Sequence, residues 1–129
     1  MNKEDIEKVK NVRLNSYSPY SNFQVGALLK CKNGKTYTGC NIENNGIQSI
    51  CAERSAFAKA ISEGEKEFES IIVVGGPKGK EPKEECLPCG YCRQFMSEFT
   101  NSNFKIYTLD NDKIKEYKLI DLLPYNFTI

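Results

Sequence analysis

Six cysteines and no histidine stand in a chain of 129 residues. Thiolates are the nucleophiles and the soft metal ligands of protein chemistry. A chain without imidazole can build neither a Ser-His-Asp nor a Cys-His arrangement, nor a zinc site resting on histidine. Any metal here is held by thiolates and carboxylates, and an acid or base working near neutral pH is best sought in a tuned carboxylate. Three cysteines are spaced for such chemistry. Cys89 and Cys92 form a C-x-x-C in "PCGYC", and Cys51 opens "CAERSAFAKA" with Glu53 two positions on. Taken alone, the C-x-x-C is open between a redox pair, half a metal site and two small apolar residues, because Cys92 also continues a stripe of Phe95, Met96 and Phe99. Glu53 is open between a reactive carboxylate and a solvated first-turn glutamate favoured by the helix dipole.

The two motifs share a setting: each cysteine motif stands at a helix start, where the positive end of the dipole stabilises thiolates and anions. Three thiolates would give zinc three protein ligands and leave a fourth tetrahedral position for water, the pattern of catalytic rather than structural sites. Three thiolates and one Zn²⁺ sum to a charge of −1, which disfavours ionising that water. Arg54, Arg93 and the two helix ends can offset the charge, and Glu53 is placed to accept the water's proton. Cys86, three residues before Cys89, is open between a bystander and a fourth ligand that would close the site. Cys31 and Cys40 fall in strand-like segments and read as small core residues.

The elements that must position these residues follow from periodicity. Ile6, Val9 and Val12 mark an amphipathic helix over 3–14, broken by "SYSPYSNF". "FQVGALLKC" (23–31) and "TYTGCN" (36–41) read as strands around the hairpin signal Asn33-Gly34. Ala52, Ala56, Phe57, Ala60 and Ile61 mark a helix, "SIIVVGG" (70–76) a buried strand, and a further helix begins near Pro88. Strands over 104–109 and 114–119 flank "DNDK", and a short turn closes the chain. The order αββαβαββ specifies an α/β fold with one five-stranded mixed sheet flanked by helices, in a single domain over 1–129. The link after strand 104–109 is too short for a parallel return, so the last two strands are antiparallel.

Eighteen basic and seventeen acidic residues leave a net charge of +1, which gives no general attraction to nucleic acid or anionic membranes. The longest aliphatic run, Ile71 to Val74, is far below the ~20 residues of a membrane helix. "MNKEDIEKVK" has no apolar region of the secretory kind, so a cytoplasmic protein is expected.

"CAER" followed by "PCGYCRQ" resembles the zinc-dependent cytidine deaminases. Cysteine at position 51, where many members carry histidine, resembles their small homotetrameric type acting on free nucleosides. "YSPYSNFQVGALL" (17–29), "GCNIEN" (39–44), "PCGYCRQFMSEF" (88–99) and "LLPYNF" (122–127) are similar to that family too, in the same order. The resemblance implies a three-layer fold and one Zn²⁺ per subunit held by Cys51, Cys89 and Cys92. It implies hydrolytic deamination of cytidine and 2′-deoxycytidine to the uridine forms, a step of pyrimidine salvage. In the superfamily's mechanism hydroxide generated at the metal attacks C4, Glu53 carries the protons and ammonia leaves. By the same resemblance Asn41 and Glu43 would bind the ribose 3′-hydroxyl, Phe23 would pack on the pyrimidine, and the Ala52 amide would meet its carbonyl. Arg54 would donate to the ligand sulfurs, and Phe127 would reach a neighbouring subunit's pocket, so that the tetramer shares its active sites.

Three other readings compete. A deaminase of a cytosine-containing antibiotic nucleoside would use the same centre, but "NIEN" and Phe23 favour ordinary nucleosides. Polynucleotide editing lacks the basic surface that phosphate binding needs. A non-enzymatic zinc module would have no use for Glu53. The chain also departs from the family pattern. Asn41 and Cys51 are ten steps apart, one fewer than is usual in the family, and "NGIQSI" holds no aromatic residue. Tyr91 replaces the small residue often found inside the C-x-x-C.

Overall fold

The computed structural model describes residues 2–129. Helix α1, Lys3–Arg13, starts on a capping box in which Asn2 and Asp5 satisfy each other's backbone amides. Strands β1, Phe23–Cys31, and β2, Thr36–Cys40, pair antiparallel around a turn that Gly34 closes at φ +92°. Helix α2, Ala52–Ser62, leads into β3, Phe68–Pro77. Helix α3, Gly90–Phe99, leads into β4, Lys105–Asp110, which pairs antiparallel with β5, Lys113–Lys118. The chain ends on the single turn α4, Leu119–Leu122, where the sequence suggested a turn only.

The sheet order is β2-β1-β3-β4-β5, with β1 antiparallel to both neighbours and β3 parallel to β4. The expected α/β fold, its mixed five-stranded sheet and its antiparallel final hairpin are all present. Alternation along β1 divides the core. Leu28 packs with Val9 of α1, Ile72, Val74 and Leu109 on one face, whereas Ala27, Leu29 and Cys31 pack with Ala56, Phe57, Cys92 and Met96 on the other. The result is three layers: α1, the sheet, and the pair α2 and α3.

This topology places the cysteines. Because β1 is antiparallel to both β2 and β3, those two strands run in the same direction. Each passes into a crossover helix from its C-terminal end, so α2 and α3 begin at the same edge of the sheet. Gly39 lets α2 lie close on β2: a Cβ there would stand 2.6 Å from the Ala56 amide nitrogen and 2.7 Å from the Ala52 oxygen. On the opposite face Arg13, 3% exposed, donates to the carbonyls of Gln24, Gly76, Pro77 and Lys80, and so ties α1 to the ends of β1 and β3.

Candidate metal centre and substrate cleft

Cys51 and Cys89 are the N-cap residues of α2 and α3. Their backbones match closely (φ −75°, ψ 158° and φ −68°, ψ 165°), and neither uses its side chain to cap its helix. Their sulfurs are therefore free to face each other, 3.8 Å apart. Cys92 lies one turn into α3, fully buried, and its sulfur completes a group of three within 4.8 Å of one another. For Zn–S bonds of about 2.3 Å, the edge of a tetrahedron is about 3.8 Å, so the Cys51–Cys89 spacing is already that of two zinc ligands. Cys92 and Met96 are also core residues beside Phe57, so the stripe reading and the ligand reading of Cys92 hold together.

Glu53 is 3% exposed. Burial, reinforced by the negative Cys51 sulfur, pushes its carboxyl up to about 7, against the pull of its own amide and the Cys92 thiol. The Cys92 thiol donates toward Cys51. That bond, with those from Arg54 and Cys89, overcomes burial and brings the Cys51 thiol down to about 5. Cys92 is held protonated well above its usual range by the same bond and by burial. Metal binding would displace these protons, since thiolates are the ligating form. The centre thus pairs three sulfurs with a carboxyl poised to gain or lose a proton near neutral pH.

Arg54 Nη2 lies 3.8 Å from the Cys51 sulfur, as the charge balance requires. The Arg93 donors go to the carbonyls of Pro88, at 2.7 Å, and Leu122, at 2.9 Å, which clamps the start of α3 to α4. Cys86 is outside the sulfur group. Its Sγ would lie 2.7 Å from a Cβ at Gly75, beside the Phe23 ring, and burial next to Glu53 pushes its thiol up to about 12. It is a neutral bystander.

A cleft of about 600 Å³ adjoins Cys51, lined by Asn41, Glu43, Tyr20, Ile47 and Ile50 among others. Neither Asn41 nor Glu43 simply faces water. The Asn41 side-chain oxygen accepts from the Val25 amide and the Ser16 hydroxyl, while its nitrogen donates to the Phe23 carbonyl. One amide hydrogen of Asn41 is left for a ligand. Glu43 accepts from the Ser21 hydroxyl and the amides of Ser21 and Tyr20, which hold its carboxyl below the usual range. Ser16 and Ser21, which position these two side chains, carry no signal in the sequence beyond a polar loop. The short segment 44–50 is closed by the Ile42–Ile50 bridge, and the Asn44 oxygen accepts the amides of Gln48 and Ser49. Within this segment the backbone is left-handed at Ile47 (φ 60°) and Ser49 (φ 36°).

Phe23 is 40% exposed and packs over Gly75 on the sheet face that carries α2 and α3. Ala52 is fully buried, main chain included. Phe127 is not brought into this chain's own cleft. Its main chain is held by Gln94 on α3, at 2.9 Å and 3.0 Å, and its side chain is exposed.

Residues 2–108 match the family model described as the cytidine and deoxycytidylate deaminase zinc-binding region. The chain belongs to this family. It is 42% identical to a cytidine deaminase of Sporosarcina psychrophila over 96% of this chain and 92% of that one. It is also 42% identical to a cytidine deaminase of Halalkalibacterium halodurans, over 95% and 91%. The crystal structure of cytidine deaminase from Burkholderia pseudomallei superposes with a TM-score of 0.87 at 37% identity, over 98% of this chain and all of that one. The three-sulfur group and the family's zinc-binding region identify zinc as the metal this chain is built to hold. No helix among the described residues is long and apolar enough to cross a membrane.

Proposed function

We propose that this chain hydrolyses cytidine and 2′-deoxycytidine to uridine and 2′-deoxyuridine with release of ammonia. One observation carries the reading: three sulfurs in zinc-ligand spacing next to a buried carboxyl poised near neutrality. Bound zinc would supply Lewis-acid activation of water. Glu53 would take one proton from the attacking water and deliver it to N3, then take the second from the new C4 hydroxyl and deliver it to the amino group, which leaves as ammonia while N3 keeps its proton. Its burial excludes bulk water from that transfer. Asn41, through its one free amide hydrogen, and Glu43, through its remaining lone pairs, bind the sugar hydroxyl. The loop partners at Ser16, Tyr20 and Ser21 hold both in place. Phe23 covers the pyrimidine, and the Ala52 amide meets its carbonyl.

The homotetramer belongs to this proposal, with Phe127 completing a neighbouring subunit's pocket. Its support is the exposed aromatic side chain of Phe127, which this chain's own cleft does not take up. So do the single domain over 1–129, the cytoplasmic setting and the salvage role. Steady-state kinetics on cytidine, deoxycytidine and free cytosine test the reading. Both nucleosides should turn over and the bare base should not. Turnover of cytosine at a comparable rate would remove the sugar-binding roles of Asn41 and Glu43.

A further inference from the structure

Tyr91 fills the variable position of the C-x-x-C with a large aromatic residue that the core does not take up. Its side chain is 66% exposed. The Arg54 guanidinium carbon stands over that ring, 4.3 Å from its centroid, well inside the ~6 Å range of cation–π attraction. The other restraints on this guanidinium are weak. Nη2 is 3.8 Å from the Cys51 sulfur and 3.5 Å from the Ser49 carbonyl, and Nε is buried without a hydrogen-bond partner among the described residues. With the further bond to Cys92 these are long sulfur and carbonyl contacts, and the ring face adds a restraint on the plane of the guanidinium.

We infer that Tyr91 is a positioning residue for the metal centre, holding the Arg54 guanidinium against the Cys51 sulfur. The role rests on the reading that Cys51, Cys89 and Cys92 bind the metal. Arg54 rises from α2 and Tyr91 from α3, so the stack also spans the two helices whose N-cap residues are ligands. A cation held beside a thiolate draws electron density off the sulfur and leaves it a poorer donor. With three thiolates facing one divalent ion, that withdrawal keeps the site electron-poor enough to activate water. Without the ring face the guanidinium is free to turn toward solvent, and the Cys51 sulfur becomes the stronger donor.

The test uses the full chain loaded with Co²⁺ in place of zinc, for the Tyr91→Ala and Tyr91→Phe variants beside the parent. Tyr91→Ala should keep one metal per chain and an unchanged assembly mass. Its sulfur-to-cobalt charge-transfer band should move to lower energy. The kcat of its zinc form on cytidine should fall by about two- to five-fold, the population change an exposed cation–π contact supports, with KM little altered. Tyr91→Phe retains the ring face and should restore both band and kcat. A band unmoved in Tyr91→Ala would overturn the role, and so would a Tyr91→Phe variant as impaired as Tyr91→Ala. A fall in kcat that tracks a change in assembly mass would assign the ring to a subunit contact instead. Failure of the parent to bind cobalt at all would overturn the metal reading, and this role with it.

Discussion

Glu53→Gln separates what the buried carboxyl costs from what it does. In the chelated protein the carboxyl titrates near 7, against 4.5 for an ordinary glutamate, mainly because burial penalises its charge. The sign follows from proton counting. Between pH 4.5 and 7 the folded state binds more protons at this site than the unfolded state, so stability falls as pH rises through that window. The full ionisation penalty is about 3 kcal/mol above it. Glutamine keeps the shape and has no charge to desolvate. Urea unfolding of chelated parent and variant at matched pH values reads the effect together with the coupling of Glu53 to its neighbouring thiols. The variant should gain about 3 kcal/mol relative to the parent between pH 4.5 and 8. A difference that stays flat across that range would show that the carboxyl is not desolvated, and would remove the basis for its tuning.

Cys89→Ser should abolish stoichiometric zinc binding, whereas Cys86→Ser should leave one zinc per chain and turnover intact; metal analysis of the purified variants checks both. Gly39→Val would place side-chain atoms against the Ala52 oxygen and the Ala56 amide, 2.7 Å and 2.6 Å from the added Cβ. It should cost at least about 1–3 kcal/mol, as overpacking does, and weaken zinc retention by shifting Cys51, as denaturant unfolding and chelator competition would report. Glu43→Gln should raise KM for cytidine more than it lowers kcat, since the carboxylate both binds the sugar and holds the Tyr20–Ser21 loop. Sedimentation of the purified chain should give four times the monomer mass, and a stable monomer would remove Phe127 from any shared pocket.

Much of this was legible from residue order because the informative signals were local. Hairpin chemistry at Asn33-Gly34 and the alternation in "FQVGALLKC" fixed β1 to its observed limits. The helix starts were readable to within two residues. A start near Pro88 is early by two residues, since Cys89 takes the N-cap conformation and α3 begins at Gly90. The convergence of Cys51 and Cys89 was readable only as far as both stand at helix starts. Their meeting depends on β2 and β3 running the same way, a property of strand pairing. The polar network behind Asn41 and Glu43 was not legible. It joins residues up to 25 positions apart through single hydrogen bonds, and no periodicity records that. Charge counting also cannot show that the Arg93 donors go to the carbonyls of Pro88 and Leu122. Tyr91 had no reading until the α2–α3 geometry put Arg54 over its ring.

The central claim is that a zinc centre on Cys51, Cys89 and Cys92 works with Glu53 as proton carrier on a free nucleoside. Measuring zinc content and ammonia release from cytidine on the same preparations of parent and Glu53→Gln tests it most directly. One zinc per chain in both is expected, with turnover in the variant reduced by about 10²–10⁴-fold. Zinc-loaded parent that releases no ammonia from cytidine, or a variant that turns over like the parent, would contradict it.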